Sequence, residues 1–281
     1  MRGKINLFIV VLLLSVYFIL IMKREILMKH YKNVLLDVIK IFDVHKLGRK
    51  NKYTTDFYID NIFRILFYGE CWNTFKCNKC DRSTIRKKFY KWKNLDIFTI
   101  AYNLLFNKYA KHRTFRELFI DSTIIENLNC SEMIGRYYKI KTKNQFKISV
   151  ICDNNRVPLV YKISNPAHHD NTFIKPLICD LKCNLHDMSK LMGDKGYITK
   201  HKNIQHKNKK VTIVYPYRVN QKKHNNQQNK KLLKKRYIVE QLFSHLKRTY
   251  RRLKYGFDRY MVNYNTFFIM ACACQIIRAI Y

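Results

Sequence analysis

Two short segments constrain the fold most. Residues 145–153 (QFKISVICD) and 157–164 (VPLVYKIS) are rich in β-branched residues and alternate apolar with polar positions. A period of two suits a strand and not a helix. The intervening Asp153-Asn154-Asn155-Arg156 has turn composition, so the pair reads as an antiparallel hairpin. A lone hairpin is marginal in water, and the rest of the chain must therefore extend the sheet.

Further strand candidates lie on either side. Leu118-Phe119-Ile120 is an apolar run ending at Asp121, Lys190-Leu191-Met192 leads to Asp194, and Val211 to Tyr215 (VTIVY) is the last. Between and after them, Asn171 to Cys183 is amphipathic, a helix is expected between Asp194 and Val211, and another runs from about Lys231 to Leu253. Residues 264–280 form a largely apolar helix. The expected order is three strands, helix, strand, helix, strand, helix. That order makes a mixed α/β sheet with helices on its faces, the arrangement of the ribonuclease-H-like fold.

Residues 29–112 read as all-helical. Val34, Leu35, Val38, Ile39 and Phe42, then Ile59, Ile62, Phe63, Leu66 and Phe67, recur at helical spacing. Gly69 fits a helix end, and Asp81 starts a helix carrying Arg86, Lys87, Lys88, Lys91 and Lys93 among Phe89, Tyr90 and Trp92. The chain thus divides into an apolar segment at 1–28, this helical region, and a sheet domain at 113–281. Residues 5–22 carry no charge and are flanked by Arg2, Lys4, Lys23 and Arg24. They read as a membrane anchor, a buried helix, or a stretch upstream of a true start at Met22 or Met28.

Charge narrows the partners. Lys and Arg number 55 against 19 Asp and Glu, a formal net charge of +36. Such an excess favours a polyanion, nucleic acid or an anionic membrane surface, and the late arginines at 236, 248, 251, 252 and 259 favour nucleic acid over a mere solubility or codon-bias effect. Codon bias toward Lys accounts for part of the excess. The basic stretch Val219 to Arg236 reads as a flexible DNA-contacting arm. Nine scattered cysteines do not make a disulfide framework and point to a reducing compartment. Cys77 and Cys80 have the spacing of half a zinc site, but no matching second pair follows.

Against this basic background three acids stand out. Asp121 is expected to end the first strand, Asp194 to follow the fourth, and Glu240 to lie on the helix after the last. If the first and fourth strands are neighbours, both aspartates leave the sheet together and the helix brings Glu240 over the same edge. Converging carboxylates repel unless cations neutralise them, and hard oxygen donors suit Mg²⁺ or Mn²⁺, two ions in this reading. Gly193 and Gly196 are expected to let the backbone turn at Asp194, Lys195 to reach a phosphate, and Tyr197 to pack beneath the turn. His169 and Asp170 precede the next helix, which Asp170 or Asn171 is expected to cap, and the alternative is a supporting role beside the metals. Arg236, Glu240 and Lys247 fall on one face of a continuous helix, at offsets of four and seven.

The order of these segments from about Ile59 onward resembles the DDE transposases of insertion sequences, in particular the insertion-sequence-five group. The resemblance rests on Gly69-Glu70-Cys71-Trp72 with the Trp92 helix, Asp121-Ser122-Thr123-Ile124, Asn165-Pro166-Ala167-His168-His169-Asp170, Gly193-Asp194-Lys195-Gly196-Tyr197, and Glu240-Gln241-Leu242-Phe243 running into Leu246-Lys247-Arg248 and Arg251-Arg252-Leu253. It implies Asp121, Asp194 and Glu240 as the metal-binding catalytic triad. From charge and helix face, Lys195, Arg236, Lys247, Arg248, Arg251 and Arg252 are expected on DNA. In the wider signature of tyrosine, arginine, glutamate and lysine, Leu233 stands where the tyrosine would be. The implied activity is DNA cleavage at element ends and strand transfer into target DNA, on double-stranded terminal repeats, by a homodimer or larger assembly inside the cell. The rivals are a metal-dependent nuclease of the same fold, a decayed or domesticated DNA-binding protein, and a membrane-attached basic protein resting on residues 5–22.

Overall fold

A computed structural model describes residues 7–43, 51–127, 129, 132, 145–217 and 226–281, without the side chains of 7–23 and 255. Helices α1 (Leu7–Phe42), α2 (Thr55–Tyr68), α3 (Arg82–Asn94) and α4 (Ile97–Ala110) come first. Among the described residues no helix is long and apolar enough to cross a membrane. The 5–22 segment, whose side chains lie outside the described residues, falls outside that statement.

Local chemistry sets the helix ends. Thr54 and Asp81 cap α2 and α3, each accepting a backbone N–H from the first turn. Gly69 ends α2 in the left-handed conformation at φ 73°, donating to Ile65 O. Along α3, Ile85, Phe89 and Trp92 face inward while Arg82, Arg86, Lys87 and Lys91 are exposed. The Trp92 indole and the Lys88 ammonium converge on Asp43 at the end of α1, each at 2.8 Å. That cluster holds the Asp43 carboxyl down at about 2, against a burial contribution that acts upward.

The sheet comprises β1 (Phe115–Asn127), β2 (Gln145–Cys152), β3 (Pro158–Ser164), β4 (Leu185–Met192), β5 (Asn203–His206), β6 (Lys209–Val214) and the short β7 (Tyr255–Gly256). Its order is β3-β2-β1-β4-β6-β5, with β7 beside β1. β1, β2 and β3 are antiparallel, whereas β4 and β6 continue the sheet in parallel. This is the expected mixed sheet in ribonuclease-H-like order. The hairpin forms as expected, with Asp153 Oδ1 accepting the N–H groups of Asn155 and Val157 across the turn. β2 is buried along its whole length because both faces of the sheet are covered.

Four expectations change. The Lys190–Met192 strand starts five residues earlier, at Leu185. The helix expected between Asp194 and Val211 is instead a 3₁₀ turn at Lys195–Tyr197 followed by β5, which pairs antiparallel with β6. The helix of Asn171–Cys183 is a 3₁₀ turn (Asp170–Phe173) leading into the short α5 (Ile174–Cys179). The helix of 231–253 is broken into α6 (Gln227–Lys234), α7 (Tyr237–Thr249) and a 3₁₀ turn at Arg251–Leu253. Asn226 caps α6, so Gln227–Lys234 of the supposed flexible arm are helical. Residues 219–225 of that arm lie outside the described residues.

Helix α8 (Met261–Ile280) is buried on nearly every side. It packs against α1 and α4, and Phe267 stacks on Phe89 of α3 at 4.8 Å. The helical region and the sheet therefore share one apolar core. Arg252 lies in this junction. It is fully buried, pairs with Asp258 at 2.9 Å, and donates to Glu70 O at 3.0 Å just beyond α2. It ties the helical region to the end of the sheet domain and is not available to DNA, which corrects its expected role. Removing one partner of a buried pair strands the other charge, at a cost of about 3–5 kcal/mol. Arg252→Met should lower stability by that order in urea unfolding, and Arg252→Met/Asp258→Leu should recover most of it. A single substitution costing under about 1 kcal/mol would show that the junction does not depend on this pair.

Candidate active site

Strand register places the first two acids. β1 and β4 run parallel, and the last matched pair is Phe119 with Met192. Asp121 and Asp194 each follow that pair by two residues. They emerge side by side at the C-terminal end of the parallel pair, where α/β sheets place ligands. Asp121 does not end its strand, as expected from sequence. β1 continues to Asn127 against β2, and only its β4 partner has stopped.

The surroundings of Asp121 are unusual for a carboxylate. Burial, with added repulsion from Asp194 and Asp170, pushes it up to about 6, against the pull of the Ser122 N–H and Arg236. Asp170 is neutralised in turn. Its Oδ1 accepts from Ser122 Oγ at 2.6 Å and from the buried Lys147 Nζ at 2.9 Å. Asp170 thus stands beside the acids and is not the helix cap. His169, exposed, occupies the cap position without a side-chain bond.

The glycines around Asp194 do not supply unusual backbone angles. A Cβ on Gly193 would come within 2.8 Å of the Tyr197 ring. One on Gly196 would lie 3.0 Å from Asp194 Oδ1 and 3.3 Å from Asp170 Oδ2. The first glycine admits the buried tyrosine beneath the turn, as expected for Tyr197, and the second lets two carboxylates approach one another. Asp194 also accepts the Gly196 N–H at 2.7 Å, which fixes its rotamer.

Helix α7 carries the third acid past β1. Glu240 lies in its first turn, exposed, and takes a bond from Arg236 Nη2 at 3.2 Å. The same Nη2 is 4.0 Å from Asp121 Oδ2, so one guanidinium bridges two of the three acids. Arg236 sits at the break between α6 and α7, not inside a continuous helix. Among the described residues no group of three or more His, Cys, Asp or Glu stands close enough to hold a metal ion, so the triad is near but not assembled. Lys247 does not point freely outward. Its Nζ donates to Thr123 Oγ1 at 2.6 Å and Ile124 O at 3.3 Å, locking α7 onto β1. Burial pulls the Lys247 ammonium down from its ordinary value. Lys195, Arg248 and Arg251 are exposed as expected of phosphate contacts.

Of two supporting residues, Ser122 was expected from sequence, with Thr123, to orient Asp121, whereas Lys147 was not singled out. Ser122 donates its N–H to Asp121 and its hydroxyl to Asp170, joining the two acids. Lys147 is the charged residue of a fully buried central strand, and that charge within QFKISVIC was its visible signal.

The raised Asp121 has a consequence for stability. In the unfolded chain the group ionises near 3.8, and in the fold at about 6. The fold therefore binds more protons between those values, and this contribution weakens as pH rises through them. Above pH 6 the ionised form burdens the fold by up to about 2–3 kcal/mol. Asp121→Asn should raise the melting temperature by a few degrees at pH 7.5 without divalent ions, and the gain should vanish below pH 4. An equal gain at both pH values would place the effect elsewhere.

Residues 112–276 match the family model described as the transposase DDE domain. No curated protein matches the chain. A solved piggyBac transposase in a synaptic complex with hairpin DNA is similar at 11% identity, with a TM-score of 0.48 over 92% of this chain and 65% of that one. The chain thus spans somewhat less than two thirds of that protein's length. The matched family segment holds Asp121, Asp194 and Glu240 and covers more than half of the chain, which therefore belongs to the transposase DDE domain family.

Proposed function

We propose that this protein is a DNA transposase, of the insertion-sequence-five kind, that cuts DNA at the ends of its element and joins the freed 3′-hydroxyls to target DNA. The observation that carries the reading is that Asp121 and Asp194 each stand two residues past the last matched pair of adjacent parallel strands, inside the family segment. The reacting phosphodiester would lie over this edge. The catalytic assignment is Asp121, Asp194 and Glu240.

The donor set fits a hard divalent cation. The site offers carboxylate oxygens, and the proton-holding tendency of Asp121 marks negative charge in want of a cation. Asp121 and Asp194 would hold Mg²⁺ or Mn²⁺ first, two ions in all, with Glu240 joining once released from Arg236. Such ions, when bound, activate a water or 3′-hydroxyl and stabilise the leaving oxygen. The chain's own residues do the rest. Ser122 and the Gly196 N–H fix the aspartate rotamers, and Lys147 keeps Asp170 from adding a further charge. The buried Tyr197 closes the underside of the turn against water.

Exposed Lys195, Arg248 and Arg251 would hold phosphates near the reacting bond. The outward face of α3, with Arg82, Arg86, Lys87 and Lys91, would dock the terminal repeats, making residues 29–112 the DNA-recognition region. Bringing two ends together implies at least a dimer on DNA, in a reducing intracellular compartment. A nuclease of this fold would share the carboxylates and lack strand joining, so the products separate the two readings.

The test uses a supercoiled plasmid carrying the gene with its native flanks. With Mg²⁺ or Mn²⁺, the wild type should give breaks at the element's ends and joined products. Asp194→Asn should lower cleavage at least about 1,000-fold while binding DNA normally. Unmapped nicking that still needs Asp194 would mean a nuclease, and binding without cleavage in either metal a decayed or repurposed DNA-binding protein. For the phosphate contacts, Lys195→Ala and Arg248→Ala should each weaken binding to all duplexes alike and reduce the salt slope by about one. An unchanged slope would return both to an ordinary solvated surface.

A further inference from the structure

We propose that Arg236 is the resident counter-cation of the carboxylate site, occupying it in the absence of metal, and that a divalent ion binds only by displacing its guanidinium. The inference rests on the reading of Asp121, Asp194 and Glu240 as ion ligands and adds a competitor for their position.

Three observations carry it. A single guanidinium nitrogen, Nη2, lies 3.2 Å from Glu240 Oε1 and 4.0 Å from Asp121 Oδ2. It therefore bridges the strand acid and the helix acid, the two groups an ion would have to share. Next, Arg236 Nε is buried with no hydrogen-bond partner. Surface salt bridges do not leave a charged group's donor desolvated, and this one is held inward by the acids at the cost of that donor. Finally, Arg236 is the N-cap of α7 at its junction with α6, its backbone bonded to Leu233 O on one side and Val239 N–H on the other, so that only its side chain need swing to leave the acids.

The physical argument is one of competition. The acids at this edge repel one another, and they require a positive charge whether or not an ion is present. A guanidinium is an always-charged planar fork that matches carboxylates well. A dication entering the same space meets its repulsion at close range, so both cannot remain. Displacement frees Glu240 to join the ion and releases the Arg236 fork toward a phosphate. DNA and metal binding thereby become coupled through one side chain, since a phosphate that captures Arg236 also vacates the ion's position.

Calorimetric titration of Mn²⁺ into the DNA-free full-length protein tests this, with Asp121→Asn as the control for site. Arg236→Gln should tighten the apparent Mn²⁺ dissociation constant at least about ten-fold. Arg236→Lys, which keeps the charge, should stay within about three-fold of wild type. In EDTA, Arg236→Gln should also melt lower than wild type, and Mn²⁺ should raise its melting temperature by more than it raises the wild type's. If Arg236→Gln unfolds, Arg236→Met and the charge-keeping lysine variant give the same comparison. Equal or weaker binding by the neutral variants would overturn the proposal and leave the carboxylate site standing. Binding that Asp121→Asn does not affect, or none in any variant, would overturn the ion-site reading itself and the proposal with it.

Discussion

The parallel pairing of β1 with β4 is the contact on which the rest of the site depends. Its register ends at Phe119 and Met192, and both aspartates follow at the same distance. A slip of one residue would turn one of them to the opposite face of the sheet. The register is secured by Leu118, Phe119, Leu191 and Met192, all fully buried, and by Ser189, whose hydroxyl bonds Phe115 O across the two strands. Core packing thus determines the spacing of two charges that lie outside the core.

Placing acids together creates an electrostatic problem that the chain meets in three ways. Asp170 has a buried lysine of its own, Asp121 holds its proton to about 6, and Glu240 is paired with Arg236. Asp194 takes a backbone N–H instead of a cation. These solutions differ in how easily they yield. Lys147 is built into a central strand, and under the proposed displacement it would stay while the proton on Asp121 and the Arg236 guanidinium leave. The site would then be permanently neutralised at its edge and temporarily neutralised at its centre, as a reversible cation site requires.

Much of this was legible in the sequence because it depended on local periodicity. The hairpin, the caps at Gly69 and Asp81, and the strand order followed from alternation, turn residues and capping chemistry. The errors share a cause. Residues 195–211 were read as a helix because they are long enough for one, but Lys207 and Asn208 adopt positive φ and turn the chain into a β5–β6 hairpin. The 231–253 helix breaks at Lys235 and Arg236 although neither is Gly or Pro, so no breaker signalled it. At the site, the three acids were visible as exceptions in a basic chain. The assignment of Arg252 to DNA failed because its partners, Glu70 and Asp258, come from outside its own helix, and periodicity reports nothing of tertiary pairing. Gly193 and Gly196 were recognised as relieving steric limits around Asp194, and what they relieve is not backbone strain but side-chain contact, with the Tyr197 ring for the first and the carboxylates of Asp194 and Asp170 for the second.

The distribution of charge explains how a chain of net charge +36 can keep an acidic site. Several cations are engaged within the fold. Lys147 is on Asp170, Lys235 on Glu117, Lys247 on the β1 backbone and Thr123, and Arg252 on Asp258. Lys195, Arg248, Arg251 and the outer face of α3 remain exposed. A polyanion approaching such a surface is drawn first to the exposed cations, whose attraction is long-ranged and sensitive to salt. Only at contact does it meet the carboxylates, which repel it unless their charge is met. The engaged arginine at the centre then has two competing anionic partners, the acids and the incoming backbone. Under the proposed function, attraction at the periphery and conditional neutralisation at the centre would together make catalytic contact depend on both nucleic acid and cation, without any need for the sheet itself to move.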